Sequence, residues 1–411
     1  MLKLKIALLS YRSDPFSGGQ GIYLKNLSDA LIRRGHKITI FSGNPLPDVN
    51  KNVDLIEIKT PGFFETFEFK KRIDLFKKYP EKKIFDYQDF FDSITGVFSE
   101  PIYFAKRLEN NKEFIKRANS FDIFHDNQSI SNFSNLISNR LITTVHHPVH
   151  IDRDIDIQFE RKFLKKISIK RWYSFLTNQK NCLKKSKIII TPTRSSKNDI
   201  ANLFSFEKKR IEVIWNGINI KKVEPFKPKK FTSRLVSIIS SDVPMKNLEI
   251  VLKSLKDLSD QGINIKLKII GDLREKNNNL IKQLEIADKI EFLPKLSKDQ
   301  LIQNLDDADI GICPSIYEGF GFPLVEMMSR GLPVIASNRG SLPELLSDAG
   351  LTFNPFDKDE LTVKIKQMLE NTKLREKFAL NSLNRMDDFF DWDEYAMKLE
   401  PLYQKILSGH F

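Results

Sequence analysis

Residues 310–326 read IGICPSIYEGFGFPLVE. The first five are a short apolar run closed by Pro314, the pattern of a strand buried on both faces. Pro323 suits the first turn of a helix and Gly331 its end, so a helix follows. A strand that passes through a glycine loop into a helix is the repeating unit of a parallel α/β sheet, and such sheets bind ligands at the carboxyl ends of their strands. Gly319 and Gly321 leave backbone N–H groups free to face an anion, and Glu326 is expected in the first helical turn, pointing into the same space. Taken singly, Glu326 also reads as compensation of the helix dipole and Glu318 as a solvated loop carboxylate. Together, beside an anion cradle, they suit a ligand whose ribose and sugar hydroxyls need carboxylate acceptors.

The same rhythm continues on either side. Short β-branched runs at 5–9, 37–41, 55–58, 123–125, 141–145, 187–191 and 211–215 are strand candidates separated by helical stretches. A second series follows at 235–240, 265–270, 290–293, 310–314, 334–337 and 351–353. Such spacing demands crossover helices and hence parallel sheets. Between the series lies 221–230, rich in Pro and Lys and without hydrophobic period, which reads as a linker and hinge. A chain of 411 residues suits two domains of about 200 residues, placed at 1–225 and 226–389.

After the first strand comes Ser17-Gly18-Gly19-Gln20-Gly21, then a helix from 22 to 34 with Leu24, Leu27 and Leu31 on one face and Gly35 as its stop. This glycine turn reads either as a phosphate contact at a helix N-terminus or as a tight turn only. It is not a dinucleotide fingerprint: the third glycine of G-x-G-x-x-G is missing, and the second strand ends in Phe41-Ser42-Gly43-Asn44 without an acidic ribose ligand. A dehydrogenase is disfavoured.

With 41% hydrophobic and 29% charged residues the chain is neither disordered nor fibrous. No apolar run approaches the roughly 20 residues that span a bilayer, and the opening ten residues are too short for a signal peptide. Cys182 and Cys313 offer no zinc spacing and read as buried packing residues in a reducing compartment, so a cytoplasmic location is expected. The net charge of +13 attracts anions, but no zinc finger, RNA-recognition motif or arginine-rich tail accompanies it, so nucleic acid is not expected as a partner. Segment 61–108 is crowded with Phe and Tyr and reads as a helical packing insertion or as an acceptor or membrane contact. Segment 161–187 carries ten basic residues, with Leu164, Ile167, Trp172, Phe175, Leu176 and Leu183 near helical spacing. It reads as one basic amphipathic helix, either packed on a core with a solvated face or lying on an anionic membrane surface.

Glu318 and Glu326 form an E-x7-E pattern, and 318–337, EGFGFPLVEMMSRGLPVIAS, closely resembles retaining glycosyltransferases of family four. Agreement extends along the chain: GGQGIYLKNLSDALIRRGHKITIF (18–41), RIEVIWNGINI (210–220), VPMKNLEIVLKSL (243–255) and GSLPELLSDAGLTF (340–353). The resemblance implies the GT-B fold, two Rossmann-like doubly wound parallel-sheet domains facing across a cleft, with a terminal helix near 390–411 returning to the first domain. It implies that Glu326 binds the donor ribose and Glu318 contacts the transferred sugar, assisted by N–H groups of Phe320, Gly321 and Phe322. Gly18 and Gly19 would face the diphosphate, and Lys246 would neutralise the leaving phosphate. His146, ending the strand 141–145 in TTVHHPVH, matches the family's histidine at the donor-sugar pocket, with His147 and His150 as alternative registers.

One position departs from the family. An arginine about five residues before the lysine is usual, but this chain reads Ser240-Ser241-Asp242-Val243-Pro244-Met245-Lys246, leaving Arg234 or Arg339 as substitutes. Asp152-Arg153-Asp154-Ile155-Asp156 resembles a metal-binding D-x-D but is read as a solvated turn, and neither metal nor cofactor is expected. The implied reaction is metal-independent transfer with retained anomeric configuration from a UDP- or GDP-sugar to a glycan or lipid-linked acceptor, as in cell-surface polysaccharide synthesis. It includes domain closure over the hinge and front-face attack without a covalent carboxylate. Peripheral seating on the inner face of the membrane stays open. So do two rival readings: a catalytically silent nucleotide-sugar or lipid-binding subunit, and a GT-B nucleotide-sugar epimerase.

Overall fold

The computed structural model describes residues 3–14, 19–223, 230–294 and 296–409. Contacts divide the chain into two units. The first comprises Met1–Pro192, Lys197–Ile214 and Trp392–Phe411, the second Thr193–Ser196 and Trp215–Asp391. The boundary expected at 225/226 falls within 224–229, outside the described residues, as does most of the expected linker. The described residue before that gap is tied to the second unit, where the Val223 N–H donates to the Ser329 carbonyl at 2.9 Å.

In the first unit the strands are β1 (Lys5–Ser10), β2 (Lys37–Ser42), β3 (Asp54–Glu57), β4 (Ile123–Asn127), β5 (Leu141–Thr144), β6 (Ile188–Thr191) and β7 (Ile211–Val213). They form one parallel sheet in the order β3-β2-β1-β4-β5-β6-β7. The second unit holds β8 (Arg234–Ile239), β9 (Lys266–Gly271), β10 (Ile290–Leu293), β11 (Ile310–Cys313), β12 (Val334–Ser337) and β13 (Gly350–Phe353). These pair in parallel as β10-β9-β8-β11-β12-β13. In each sheet the order reverses beside the first strand, so each has a topological switch point, between β1 and β4 and between β8 and β11.

Every run expected as a strand is one, displaced by at most a few residues at its ends. The cause is two-sided burial. In β8, Leu235 joins one hydrophobic core and Val236 the other, and in β12 Ile335 faces the first while Val334 and Ala336 face the second. A strand covered on both sides needs apolar residues at consecutive positions, and that pattern is what the sequence carries.

The helix Trp392–Ser408 lies in the first unit against Gly19–Arg33. A buried polar network joins it to the sheet. The Tyr23 hydroxyl meets Thr144 Oγ1 at 2.9 Å and the Tyr395 hydroxyl at 2.8 Å, and His125 bridges Thr144 and the Tyr403 hydroxyl, both at 2.7 Å. Glu400 anchors the same helix through Arg34 and His36.

The aromatic segment packs as a core. Phe63, Phe64, Phe98, Phe175 and Leu176 cluster with Phe76, Phe90 and Trp172, while buried Arg107 pairs with Asp86 and Asp89 at 2.8 and 2.7 Å. The basic segment departs from expectation. It is not one amphipathic helix but Phe163–Trp172, a 3-10 turn at Tyr173–Leu176, and Thr177–Lys185. Phe175 and Leu176 in the turn are drawn into the aromatic core, which interrupts the helix and leaves Leu164 and Ile167 outside.

Candidate active site

The loops after β8 and β11 meet at the carboxyl edge of the second sheet. After β8, Pro244–Lys246 forms a 3-10 turn, and Asn247 in the left-handed region (φ 53) starts the helix Leu248–Asp260. The buried Asn247 amide donates to the Pro314 and Pro355 carbonyls at 3.3 and 2.8 Å, and the Ile316 N–H donates to the Met245 carbonyl at 2.8 Å. Those bonds fix Lys246 against Glu318. Lys246 Nζ stands 2.7 Å from Glu318 Oε1, with both side chains 11% exposed, and the Ser315 hydroxyl donates to the same oxygen at 2.7 Å. Beneath them burial pushes the Cys313 thiol up to about 12, a shift that Glu318 adds to and Lys246 opposes, so Cys313 is a protonated packing residue.

The carboxyl loop is shaped by Gly321, at φ +98. An L-residue would be strained there, and a Cβ would stand 2.9 Å from Leu342 Cδ2. Phe320 is buried on Phe322 and Phe389, with ring centroids 5.0 and 6.4 Å away. Among the described residues, no acceptor takes the N–H groups of Phe320, Gly321 and Phe322, which open the helix Phe322–Ser329. Unsatisfied N–H groups at a helix start attract anions.

Glu326 is the fifth residue of that helix, one position past the first turn in which it was expected, because the helix already begins at Phe322, directly after Gly321. Burial alone raises its carboxyl to about 7, and no charged neighbour contributes. The two proposed substitutes for the usual arginine separate clearly. Arg234 opens β8 at the amino edge of the sheet and pairs with Asp307. Arg339 is exposed in the loop after β12, two residues from Ser341, whose N–H donates to the Glu318 carbonyl at 3.1 Å.

In the first unit His146 follows β5, again at the carboxyl edge. Its Nε2 lies 2.8 Å from Asn127 Oδ1, at the end of β4, and its ring meets Tyr23 edge-on at 4.7 Å. The Asn127 Nδ2 donates to the Gln20 carbonyl at 3.2 Å, which turns Oδ1 toward the imidazole. Nε2 therefore carries the proton, and Nδ1 is left with a lone pair. Burial, helped by His147 and His125, lowers the His146 pKa to about 3, so the ring is neutral at physiological pH. His147 instead faces Asp152 at 2.9 Å. Gly18 lies outside the described residues, while Gly19 begins the helix Gly19–Arg33 with open space where a Cβ would sit. Gly21 is the glycine the packing requires: a Cβ there would stand 2.0 Å from the Asp14 carbonyl oxygen.

Asp152, Asp154 and Asp156 lie on the helix Val149–Phe159 rather than in a solvated turn, and they engage His147, Arg153 and Tyr173 respectively. Among the described residues no three His, Cys, Asp or Glu side chains are grouped to hold a metal ion, and no helix is long and apolar enough to cross a membrane. The sequence reading named Lys246, Glu318 and His146, but Asn127, Asn247 and Tyr23, which position them, carried no motif.

Comparison with known proteins agrees with this geometry. The family profile of Glycosyltransferase Family 4 matches residues 17–222, and that of Glycosyl transferases group 1 matches residues 220–385. The chain is 29% identical, over 98% of its length and 99% of the other's, to an MMP alpha-(1->4)-mannosyltransferase of Mycolicibacterium hassiacum. It is 28% identical to the O-antigen chain mannosyltransferase RfbU of Salmonella typhimurium, over 56% of this chain and 65% of that one. Among solved structures, sucrose-phosphate synthase from Thermosynechococcus elongatus superposes with a TM-score of 0.72 at 17% identity, covering 99% of this chain and 100% of that one. WaaG, a glycosyltransferase involved in lipopolysaccharide biosynthesis, gives 0.68 at 17% identity, covering 97% and 99%. The chain belongs to glycosyltransferase family 4, with the GT-B fold, and is a glycosyltransferase.

Proposed function

We propose that the protein transfers a mannosyl residue, with retention of anomeric configuration, from a nucleoside-diphosphate sugar to a glycan or lipid-linked acceptor in cell-surface polysaccharide synthesis. The observation that carries this reading is the Lys246–Glu318 pair, 2.7 Å apart beside the unpaired N–H groups that open the helix at Phe322. One ammonium and three N–H groups suit a diphosphate, while two carboxylates suit hydroxyls. The choice of mannose rests on the relatives: one along nearly the full chain is a mannosyltransferase, and a shorter match is a GDP-Man:Man(3)GlcNAc(2)-PP-Dol alpha-1,2-mannosyltransferase of Dictyostelium discoideum.

In the proposed reaction the bond between the sugar C1 and the donor phosphate oxygen breaks as the acceptor oxygen bonds C1 on the same face. Lys246, Arg339 and the N–H groups of residues 320–322 take up the charge that grows on the leaving diphosphate. The acceptor's proton passes to a phosphate oxygen, so no protein carboxylate becomes covalently attached. Glu326 holds the ribose and Glu318 the sugar hydroxyls. The neutral His146 offers Nδ1 as an acceptor to a sugar hydroxyl. No metal is assigned to the reaction.

The test is release of nucleoside diphosphate from a panel of GDP- and UDP-sugars with a chelator present, comparing the native chain with Lys246→Ala, Glu326→Ala and Arg339→Ala. Turnover of GDP-mannose that the substitutions suppress supports the reading, and proton NMR of the product checks retention. Donor binding without turnover when acceptor glycans are supplied would favour a silent subunit.

A further inference from the structure

The helix Phe163–Trp172 has no buried residue, although half of its ten side chains are Phe, Leu, Ile or Trp. With 3.6 residues per turn, Phe163, Ile167 and Leu164 share one arc of about 100°, and Ile169 and Trp172 lie on the other side. The inner side is the one that packs: Ile169 and Trp172 are half-buried, and the Trp172 ring stacks on Phe98 at 5.1 Å and meets Phe64 edge-on at 5.7 Å. The outer arc is presented to solvent, with Phe163 75%, Leu164 77% and Ile167 49% exposed. Single exposed apolar side chains are ordinary, but three on one arc form a patch.

Charge surrounds that patch. Arg161, Lys162, Lys165, Lys166, Lys170 and Arg171 flank it, and no acidic residue occurs in 161–187. Among the described residues none of these six cations has a carboxylate within 4.0 Å. A convex apolar wedge bordered by long cations, of which Arg171 alone among the described residues is tied back to the protein, through the Thr95 carbonyl, offers no fixed pocket for a shaped partner. It matches a fluid surface that is anionic outside and apolar beneath, because the stems of Lys and Arg reach outward to phosphates while the wedge enters between headgroups.

We propose that Phe163, Leu164 and Ile167 form a membrane-surface anchor that seats the first unit on an anionic lipid bilayer, the flanking lysines and arginines pairing with lipid phosphates. The anchor rests on the proposed transfer to a membrane-borne acceptor for its purpose, but its binding is measured without substrate. Sedimentation with phosphatidylcholine vesicles containing about one third phosphatidylglycerol should pellet the native chain, whereas pure phosphatidylcholine should not, and raising the salt to about 0.5 M should weaken the binding. Phe163→Ser, Leu164→Ser and Ile167→Ser together should lower partitioning at least ten-fold at unchanged circular dichroism, and Lys165→Glu with Lys166→Glu should do the same. Donor turnover measured with soluble acceptor should persist in both variants.

The proposal fails if the native chain stays in the supernatant with anionic vesicles, or if the serine variant pellets equally well. It also fails if the serine substitutions instead convert a native dimer to a monomer, because the arc is then an interface between copies. Vesicle binding without sugar turnover would overturn the transfer reading and leave the anchor standing, and turnover without vesicle binding would do the reverse.

Discussion

Lys246 and Glu318, 72 residues apart, form an ion pair of 2.7 Å whose geometry is set by the Asn247 amide holding the loops after β8 and β11 together. A pair this enclosed couples two roles, charge for a phosphate and an acceptor for hydroxyls, so substitutions in it should not act independently. Lys246→Ala should lower kcat about 10²- to 10³-fold, the range for loss of one group that stabilises developing charge. Glu318→Gln should lower it as well, and the double variant should lose less than the product of the two, as steady-state kinetics of all three will reveal.

Asn127 fixes the proton of His146 on Nε2, and its replacement should change chemistry without changing the fold. Asn127→Asp sets a carboxylate against Nε2 and should lift the His146 pKa from about 3 toward the ordinary histidine range. Activity of this variant should then fall on acidification through that higher value, where the native chain shows no histidine inflection. Imidazole nitrogen chemical shifts followed by NMR against pH give the check, and an unmoved His146 titration would discard the assignment.

Glu326 titrates near 7 in the fold against 4.5 in an open chain. The raised value means that the acid form persists up to about neutral pH, so donor KM should fall as pH rises through 7 and a carboxylate becomes available, while Glu326→Gln should give a flat profile. Linkage gives the second sign: burial disfavours the ionised form, and stability is lost as pH climbs from 4.5 through 7. Relative to the native chain, Glu326→Gln should gain about 1 to 2 kcal/mol between pH 5 and 8 after allowance for its partial exposure, read from paired denaturant titrations.

Gly19 and Gly21 sit two residues apart and should respond oppositely. A methyl at Gly21 collides with the Asp14 carbonyl at 2.0 Å, backbone against side chain, so Gly21→Ala should cost about 2 kcal/mol or more and lower Tm by several degrees. Gly19→Ala meets nothing within 4 Å and should keep Tm while weakening donor binding, which calorimetry with the nucleoside diphosphate will show.

The two-sheet architecture was legible because strands covered on both faces must be apolar at successive positions, and β5, β6 and β12 announce themselves by composition alone. Lys246, Glu318 and the turn at Gly321 were legible for a related reason, since glycines and charged residues just after buried strands have few other uses. The segment 161–187 misled because periodicity cannot tell which apolar residues a core will claim. Phe175 and Leu176 were taken, and Leu164 and Ile167 were left outside.

What the sequence determined by itself is therefore the order of strands and helices, the family, and the residues whose chemistry suits a phosphorylated sugar. Tertiary structure alone decided their partners: that Lys246 meets Glu318, that Asn127 sets the tautomer of His146, that Arg339 and not Arg234 shares the edge with Glu318, and that Glu326 lies just past the first turn of its helix. The reason is physical. Burial patterns are local and repeat along the chain, whereas hydrogen bonds and ion pairs join residues that only the folded backbone brings within 3 Å.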